Sequence, residues 1–231
     1  LNSEKLLTRE EAVAVLEQYG DNLTNLAADG KITKVIGRDD TIEQISLSLA
    51  RKNKNSVVIV GEPGIGKTAI MEGLALAIHN KEVAETLQDK EVFSVDIGRM
   101  VAGTRFRGDF EERARRLIEA VEVCGNVIMF IDEIHMMLSA GSASEDGGPN
   151  MANLLKPALA RGSFHCVGAT TIAEYRRVFE KDSALSRRFQ KLEIFEPSVE
   201  EAITIVNGAI DHYETHHDVV YEPEPISETV K

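Results

Sequence analysis

Apolar residues follow two rhythms along this chain. Short, nearly unbroken apolar runs recur at Ser56–Val60, Val92–Asp96, Val127–Ile131, Phe164–Thr170 and Leu192–Phe195. Their length and apolar content predict strands buried on both faces. Between them, apolar positions fall three and four apart, as at Ile42, Ile45 and Leu49 within 40–51, which is the spacing of one helical face. Further helices are predicted over 69–78, 109–123, 150–160 and 172–179, and Pro157 should bend or stop the third of these. Thr8-Arg9-Glu10-Glu11 and Ser198-Val199-Glu200-Glu201 have the spacing of capping boxes. The first opens a peripheral helical stretch ending near Asp29, and the second a helix to about Tyr213. Strands alternating with helices predict an α/β fold, a parallel five-stranded sheet flanked by helices. Three parts are expected: an N-terminal helical linker (1–30), a large αβ part (31–196), and the start of a small helical part (197–231). Glu196-Pro197-Ser198 reads as the hinge between the last two. Ser139–Pro149 reads as a mobile glycine-rich loop and 222–225 as an extended tail. No internal repeat is found.

The connection after the first strand carries the chemistry. Gly61-Glu62-Pro63-Gly64-Ile65-Gly66-Lys67-Thr68 fits the spacing G-x-x-x-x-G-K-[ST] between a strand and a helix. Glycines there let the backbone turn tightly and aim its N–H groups at phosphate oxygens. The helix N-terminus adds partial positive charge. Lys67 can reach the terminal phosphates, and the Thr68 hydroxyl can ligate Mg²⁺. An ordinary glycine-rich turn needs neither the lysine nor both flanking elements.

Composition narrows the partners. The 231 residues carry a net charge of −12 and 43% hydrophobic residues. The acidic balance argues against broad electrostatic binding of nucleic acid. A local basic cluster does stand out at Arg105, Arg107, Arg113, Arg115 and Arg116. No apolar run approaches the roughly 20 residues of a membrane span, and no signal peptide is evident. Two cysteines, Cys124 and Cys166, read as reduced thiols of a cytoplasmic protein. His216-His217 is a poor metal pair, because adjacent helical residues face different ways. The leading leucine reads as the start of a fragment of a longer chain.

Three more stretches fall where a nucleotide site needs them. Val127–Ile131 runs into Asp132-Glu133. An Asp at such a strand tip holds Mg²⁺, and the adjacent Glu orients or deprotonates the attacking water. The plainer alternative makes Asp132 the N-cap of the next turn. Thr170 ends a strand at the sheet edge where ligands sit and reads as a γ-phosphate sensor, while Thr171 reads as a helix cap. Arg187 and Arg188 fit either arginine fingers reaching a neighbour's γ-phosphate or a surface ion-pair cluster. Spacing alone leaves both readings open.

Taken together, these motifs resemble the first nucleotide-binding domain of Clp-family AAA+ unfoldases, the ClpA, ClpB and ClpC group. The resemblance rests on V-I-G-R (35–38), G-E-P-G-I-G-K-T (61–68), V-A-G-T-R-F-R-G-D-F-E-E-R (101–113) and F-I-D-E-I-H (130–135). It continues through N-L-L-K-P-A-L-A-R-G (153–162), V-G-A-T-T (167–171), F-E-K-D (179–182), R-R-F-Q (187–190), E-P-S (196–198) and H-H-D-V (216–219). It implies a phosphate-loop AAA+ fold with the start of a helical lid, and ATP and Mg²⁺ as cofactors. Val35, Ile36 and Gly37 would line the adenine pocket. Lys67 and Thr68 would serve phosphate and metal, Asp132 the metal, Glu133 the base and Thr170 the sensor. Arg187 and Arg188 match trans-acting arginine fingers, which settles the choice that spacing left open. Arg105, Phe106 and Arg107 match a substrate-gripping pore loop, with Arg-Phe-Arg-Gly where Lys-Tyr-Arg-Gly is usual. The longer, acidic loop 138–148 matches a second pore loop. Implied partners are further copies in a hexameric ring, an unfolded polypeptide and a peptidase, with neither nucleic acid nor membrane. Isolated, the chain should turn over ATP slowly, since a neighbour supplies the arginines.

A nucleic-acid helicase is the alternative, because Asp132-Glu133-Ile134-His135 also fits D-E-x-H. The chain lacks the Q-x-x-G-R-x-x-R stretch of a second helicase domain. A GTPase is weaker still, since neither D-x-x-G nor N-K-x-D occurs as a GTPase motif.

Overall fold

A computed structural model describes residues 7–104, 107–139, 151–162, 164–217 and 219–220. The first described element is helix α1 (Arg9–Tyr19), whose Thr8–Glu11 capping box is formed in both directions. Strand β1 (Gly20–Asn22) and helix α2 (Leu23–Ala28) follow, then α3 (Asp39–Leu49). The alternating part comprises β2 (Ser56–Val60), α4 (Lys67–His79), β3 (Glu91–Val95), α5 (Ile97–Val101), α6 (Arg107–Cys124) and β4 (Val127–Ile131). It continues through α7 (Ile134–Ser139), α8 (Met151–Ala160), β5 (His165–Thr170), α9 (Ile172–Val178), α10 (Ser183–Arg188) and β6 (Phe189–Glu193), and α11 (Val199–His217) is the last described element. Pro157 lies inside α8. Ser198 and Glu201 form the second capping box through two hydrogen bonds, 2.7 and 3.2 Å.

The expected α/β class holds, with one strand more than the five predicted. Among the described residues, six strands form one sheet in the order β1-β3-β4-β5-β2-β6. Five are parallel, and β1 pairs antiparallel with β3 through Gly20 and Val95, so the N-terminal stretch adds an edge to the sheet. Gly20 is required at that edge, because a Cβ there would lie 2.3 Å from the carbonyl oxygen of Ser94. The last strand starts three residues before its predicted position. Phe189 is the reason: it is buried and packs edge-on to Phe179 at 5.3 Å, whereas Phe195 is 69% exposed.

Side-chain alternation along the strands builds two cores, one on each face. Val58, Val60, Met129 and Ile131 pack into one cluster with α1, α6 and α8. Val57, Ile59, Ile128 and Phe130 pack into the other with α2, α3 and α4. Fully burying one such side chain contributes about 1.5–3 kcal/mol, so the central strands form a rigid platform. The strand order reverses at β2, and in such sheets ligands sit beyond the strand carboxyl ends at that point. The residues Arg105 and Phe106, the loop 140–150 and the tail 221–231 lie outside the described residues.

Candidate functional site

The loop between β2 and α4 bends through Gly64 and Gly66, whose φ angles of +81° and +91° belong to the left-handed region. A side chain at either would be strained. Gly66 caps α4, and the loop therefore presents its backbone to the space above the sheet. Lys67 begins the helix, is 7% exposed, and donates through Nζ to the carbonyls of Gly61 and Glu62 at 3.0 and 2.9 Å. The loop's own backbone thus positions the ammonium over the cradle it would share with phosphate.

Thr68 and Asp132 meet. The Thr68 hydroxyl donates to Asp132 Oδ2 at 2.9 Å, although 64 positions separate the two residues. Asp132 Oδ1 accepts from the backbone N–H of Glu133 at 2.9 Å. An N-cap would accept from N–H groups two or three residues on. The Asp132 carboxylate instead turns toward the phosphate loop, which disfavours the capping alternative. A hydroxyl and a carboxylate converging at a strand tip form a hard-oxygen pair suited to Mg²⁺.

Glu133 adopts φ +47°, a conformation that costs a non-glycine residue about 1–3 kcal/mol. Its side chain remains 43% exposed. Thr170, at the end of β5, is completely buried, and its carbonyl accepts from the N–H of Gly61 at 3.2 Å. Thr171 caps α9 as expected, accepting from the Glu174 N–H. The buried Cys166 thiol has its pKa pushed far up by desolvation and stays protonated.

Beside the loop lies a cleft of about 420 Å³ bordered by Val35, Ile36, Ile65, Pro197 and Ile205. Gly37, with φ +71°, faces Ile205, and a Cβ on it would lie 3.0 Å from Ile205 Cγ1. Helix α11 approaches more closely still at Gly208, where a Cβ would come within 2.0 Å of Ile36 Cδ1. A larger cleft of about 550 Å³ between α3 and α4 touches Val35 but none of the phosphate-loop or acidic residues above.

Arg187 and Arg188 are exposed at the end of α10, immediately before Phe189, which pairs with Ser56 at the start of β2. Lys67 lies past the other end of β2. Four residue steps of parallel strand span about 13 Å, so the arginines sit away from their own phosphate loop. Of the residues expected to form a pore loop, only the backbone of Arg107 is described, at the start of α6.

Sequence reasoning left four residues near this site without roles. Arg38 donates to the Ile65 carbonyl at 3.1 Å and lies 3.5 Å from that of Phe195. His135 touches both Glu133 and Thr170. Ile205 and Gly208 bring α11 against the 35–37 turn. The first two sit inside the V-I-G-R and F-I-D-E-I-H stretches, which is a usable signal. The last two become visible only once α11 is placed in three dimensions.

Residues 57–197 match the family described as "ATPase family associated with various cellular activities (AAA)". The chain is 52% identical over 216 residues to the ATP-dependent Clp protease ATP-binding subunit ClpA homolog of Guillardia theta, covering 94% of this chain and 26% of that protein. It is 48% identical over 230 residues to the ClpC ATP-binding subunit of Staphylococcus aureus, covering 100% of this chain and 28% of that protein. Among solved structures, the Hsp104–ADP complex of S. cerevisiae matches with a TM-score of 0.81 and 42% identity, over 92% of this chain and 36% of that one. Closed-state Hsp104 with ATPγS and FITC casein matches with a TM-score of 0.82 and 41% identity, over 94% and 36%. The chain therefore spans little more than a quarter of the length of these curated relatives.

Proposed function

This chain belongs to the AAA family of ATPases, and from that premise we propose that it is the ATP-hydrolysing module of a ring-forming, Clp-type protein unfoldase. The observation that carries the reading is the meeting of Thr68 with Asp132 at 2.9 Å, with Lys67 and Thr170 on the same sheet edge. A helicase is not supported, since the matched family is AAA and the named relatives are Clp ATP-binding subunits.

In this reading the glycine loop and Lys67 hold the β- and γ-phosphates. Val35, Ile36 and Gly37 flank the adenine in the cleft that Ile205 closes. Thr68 and Asp132 would hold Mg²⁺, which would supply positive charge to offset that of the phosphates. Glu133 orients the attacking water and accepts its proton. Thr170 donates to the γ-phosphate or to that water. Arg187 and Arg188 serve the next subunit, because a 13 Å-scale separation keeps them from their own loop. Hydrolysis then moves Arg105, Phe106 and Arg107 along the pore of a hexamer, where the aromatic ring grips an extended polypeptide. A cytoplasmic setting and a partner peptidase belong to the same reading.

The test is Glu133→Gln in the full-length ring. ATP binding should stay within a few-fold of the parent while turnover falls by about 10²–10⁴. Turnover at the parental rate would remove Glu133 as the base.

A further inference from the structure

His135 has no task in the reaction just described, yet it touches two residues that do. It stands on the first turn of α7 with its side chain 14% exposed. Its Nδ1 lies 3.0 Å from Thr170 Oγ1 and 3.3 Å from Glu133 Oε2. We propose that His135 is a positioning residue that couples Thr170 to Glu133 through one ring N–H for which the two oxygens compete. The proposal rests on the ATPase reading above.

The chemistry of the three groups favours this arrangement. A carboxylate only accepts hydrogen bonds, whereas a hydroxyl both donates and accepts. With the proton on Nε2, an Nδ1 lone pair would face the Glu133 carboxylate at 3.3 Å, a repulsive contact. The Nδ1–H tautomer satisfies either oxygen. The two oxygens differ in freedom. Thr170 is wholly buried and tied by its carbonyl to the phosphate loop. Glu133 is part exposed and sits on a left-handed backbone turn, so it is the group that moves. Gly168 permits the contact: a Cβ there would lie 2.6 Å from Ile134 Cδ1 and push α7 off β5.

A sequence of events follows. When the Thr170 hydroxyl donates to a terminal phosphate or its attacking water, its lone pairs turn to the ring and accept the Nδ1–H. The N–H then leaves the Glu133 carboxylate, which becomes free to take up the water. When Thr170 has no such acceptor, the N–H holds Glu133 aside. His135 thereby makes the base available only when the sensor is engaged, and no bond other than hydrogen bonds changes.

The experiment uses the full-length ring and ATP. His135→Ala should lower kcat about tenfold, the scale of a lost charge-assisted hydrogen bond, while KM stays within about twofold. His135→Asn, whose amide nitrogen reaches roughly the Nδ1 position, should recover kcat to within about threefold of the parent. The double variant His135→Ala with Thr170→Ala should be no slower than the slower single variant, since coupled residues are non-additive. Unchanged kcat in His135→Ala, additive losses in the double variant, or an asparagine variant as slow as alanine at parental Tm would each overturn the proposal. If the alanine variant does not fold, the asparagine variant decides alone, with a tenfold fall in kcat counting against. A parent ring that binds ATP without hydrolysing it would instead sink the ATPase reading, and the coupling with it.

Discussion

The two ends of strand β2 make an instructive contrast. At its carboxyl end the residues expected to meet phosphate and metal are wired to their surroundings. Lys67 is bound to loop carbonyls, Thr68 to Asp132, and Thr170 to Gly61 and His135. At its amino end Arg187 and Arg188 project from α10 with no hydrogen bond or ion pair to another described residue, and Arg188 lines a cleft with Lys52, Lys54 and Arg161. An exposed arginine pair of this kind fits the proposed role of meeting a neighbour's γ-phosphate. In the proposed reading one end is a nearly complete site, and the other holds groups that would complete a site on the next subunit.

The largest expected effect tests that division directly. In the assembled ring, Arg187→Ala with Arg188→Ala should reduce turnover by about 10³–10⁵ and leave nucleotide affinity within a few-fold. Mixing these subunits with Glu133→Gln subunits should restore measurable turnover, because some interfaces then join an intact Glu133 to intact arginines. Mixed rings as inactive as either parent variant would place the arginines in their own site. The next effect belongs to the wired end. Lys67→Ala removes an ammonium worth about 1.5–3 kcal/mol per charged hydrogen bond, so ATP affinity should fall at least tenfold in a fluorescent-nucleotide titration. Unlike the arginine variant, it should not be rescued by mixing. Equal affinity to the parent would contradict the phosphate-loop assignment.

The wired end was far more legible in the sequence than the free end, for physical reasons. Glycine spacing, a lysine and strand-tip acids are local signals, and Gly61–Thr68, Asp132 and Thr170 fall where a parallel sheet puts them. Strand β1 carries no such signal, since Gly-Asp-Asn has no apolar alternation and pairs only because Gly20 lets Ser94 approach. Helix α10 has six residues, too few for an apolar period to stand out. The contacts of Gly208 with Ile36 and of Arg38 with Ile65 depend on how distant elements pack, so residue type alone could not assign them.

The smallest effect concerns what holds the free arginines in place. Asp182 caps α10, accepting from the N–H groups of Ala184 and Leu185 at 3.0 and 3.2 Å, and pairs with Lys156 at 2.6 Å. Partial burial would raise its pKa, but the Lys156 hydrogen bond and the two backbone N–H groups outweigh that, and the net shift is downward. A folded-state pKa below the unfolded value stabilises the fold above the unfolded carboxylate pKa, about 3.9, and the gain disappears as pH falls through the folded value. Losing such a cap costs about 1 kcal/mol, so Asp182→Ala should lower Tm by about 2–4 °C at pH 7. The gap between variant and parent should narrow below about pH 4. Because α10 ends in the arginines, the same variant should slow ring turnover severalfold while nucleotide affinity at the wired end holds. A matching loss of affinity would mean that α10 supports its own phosphate loop, and the two ends of β2 would then act as one unit.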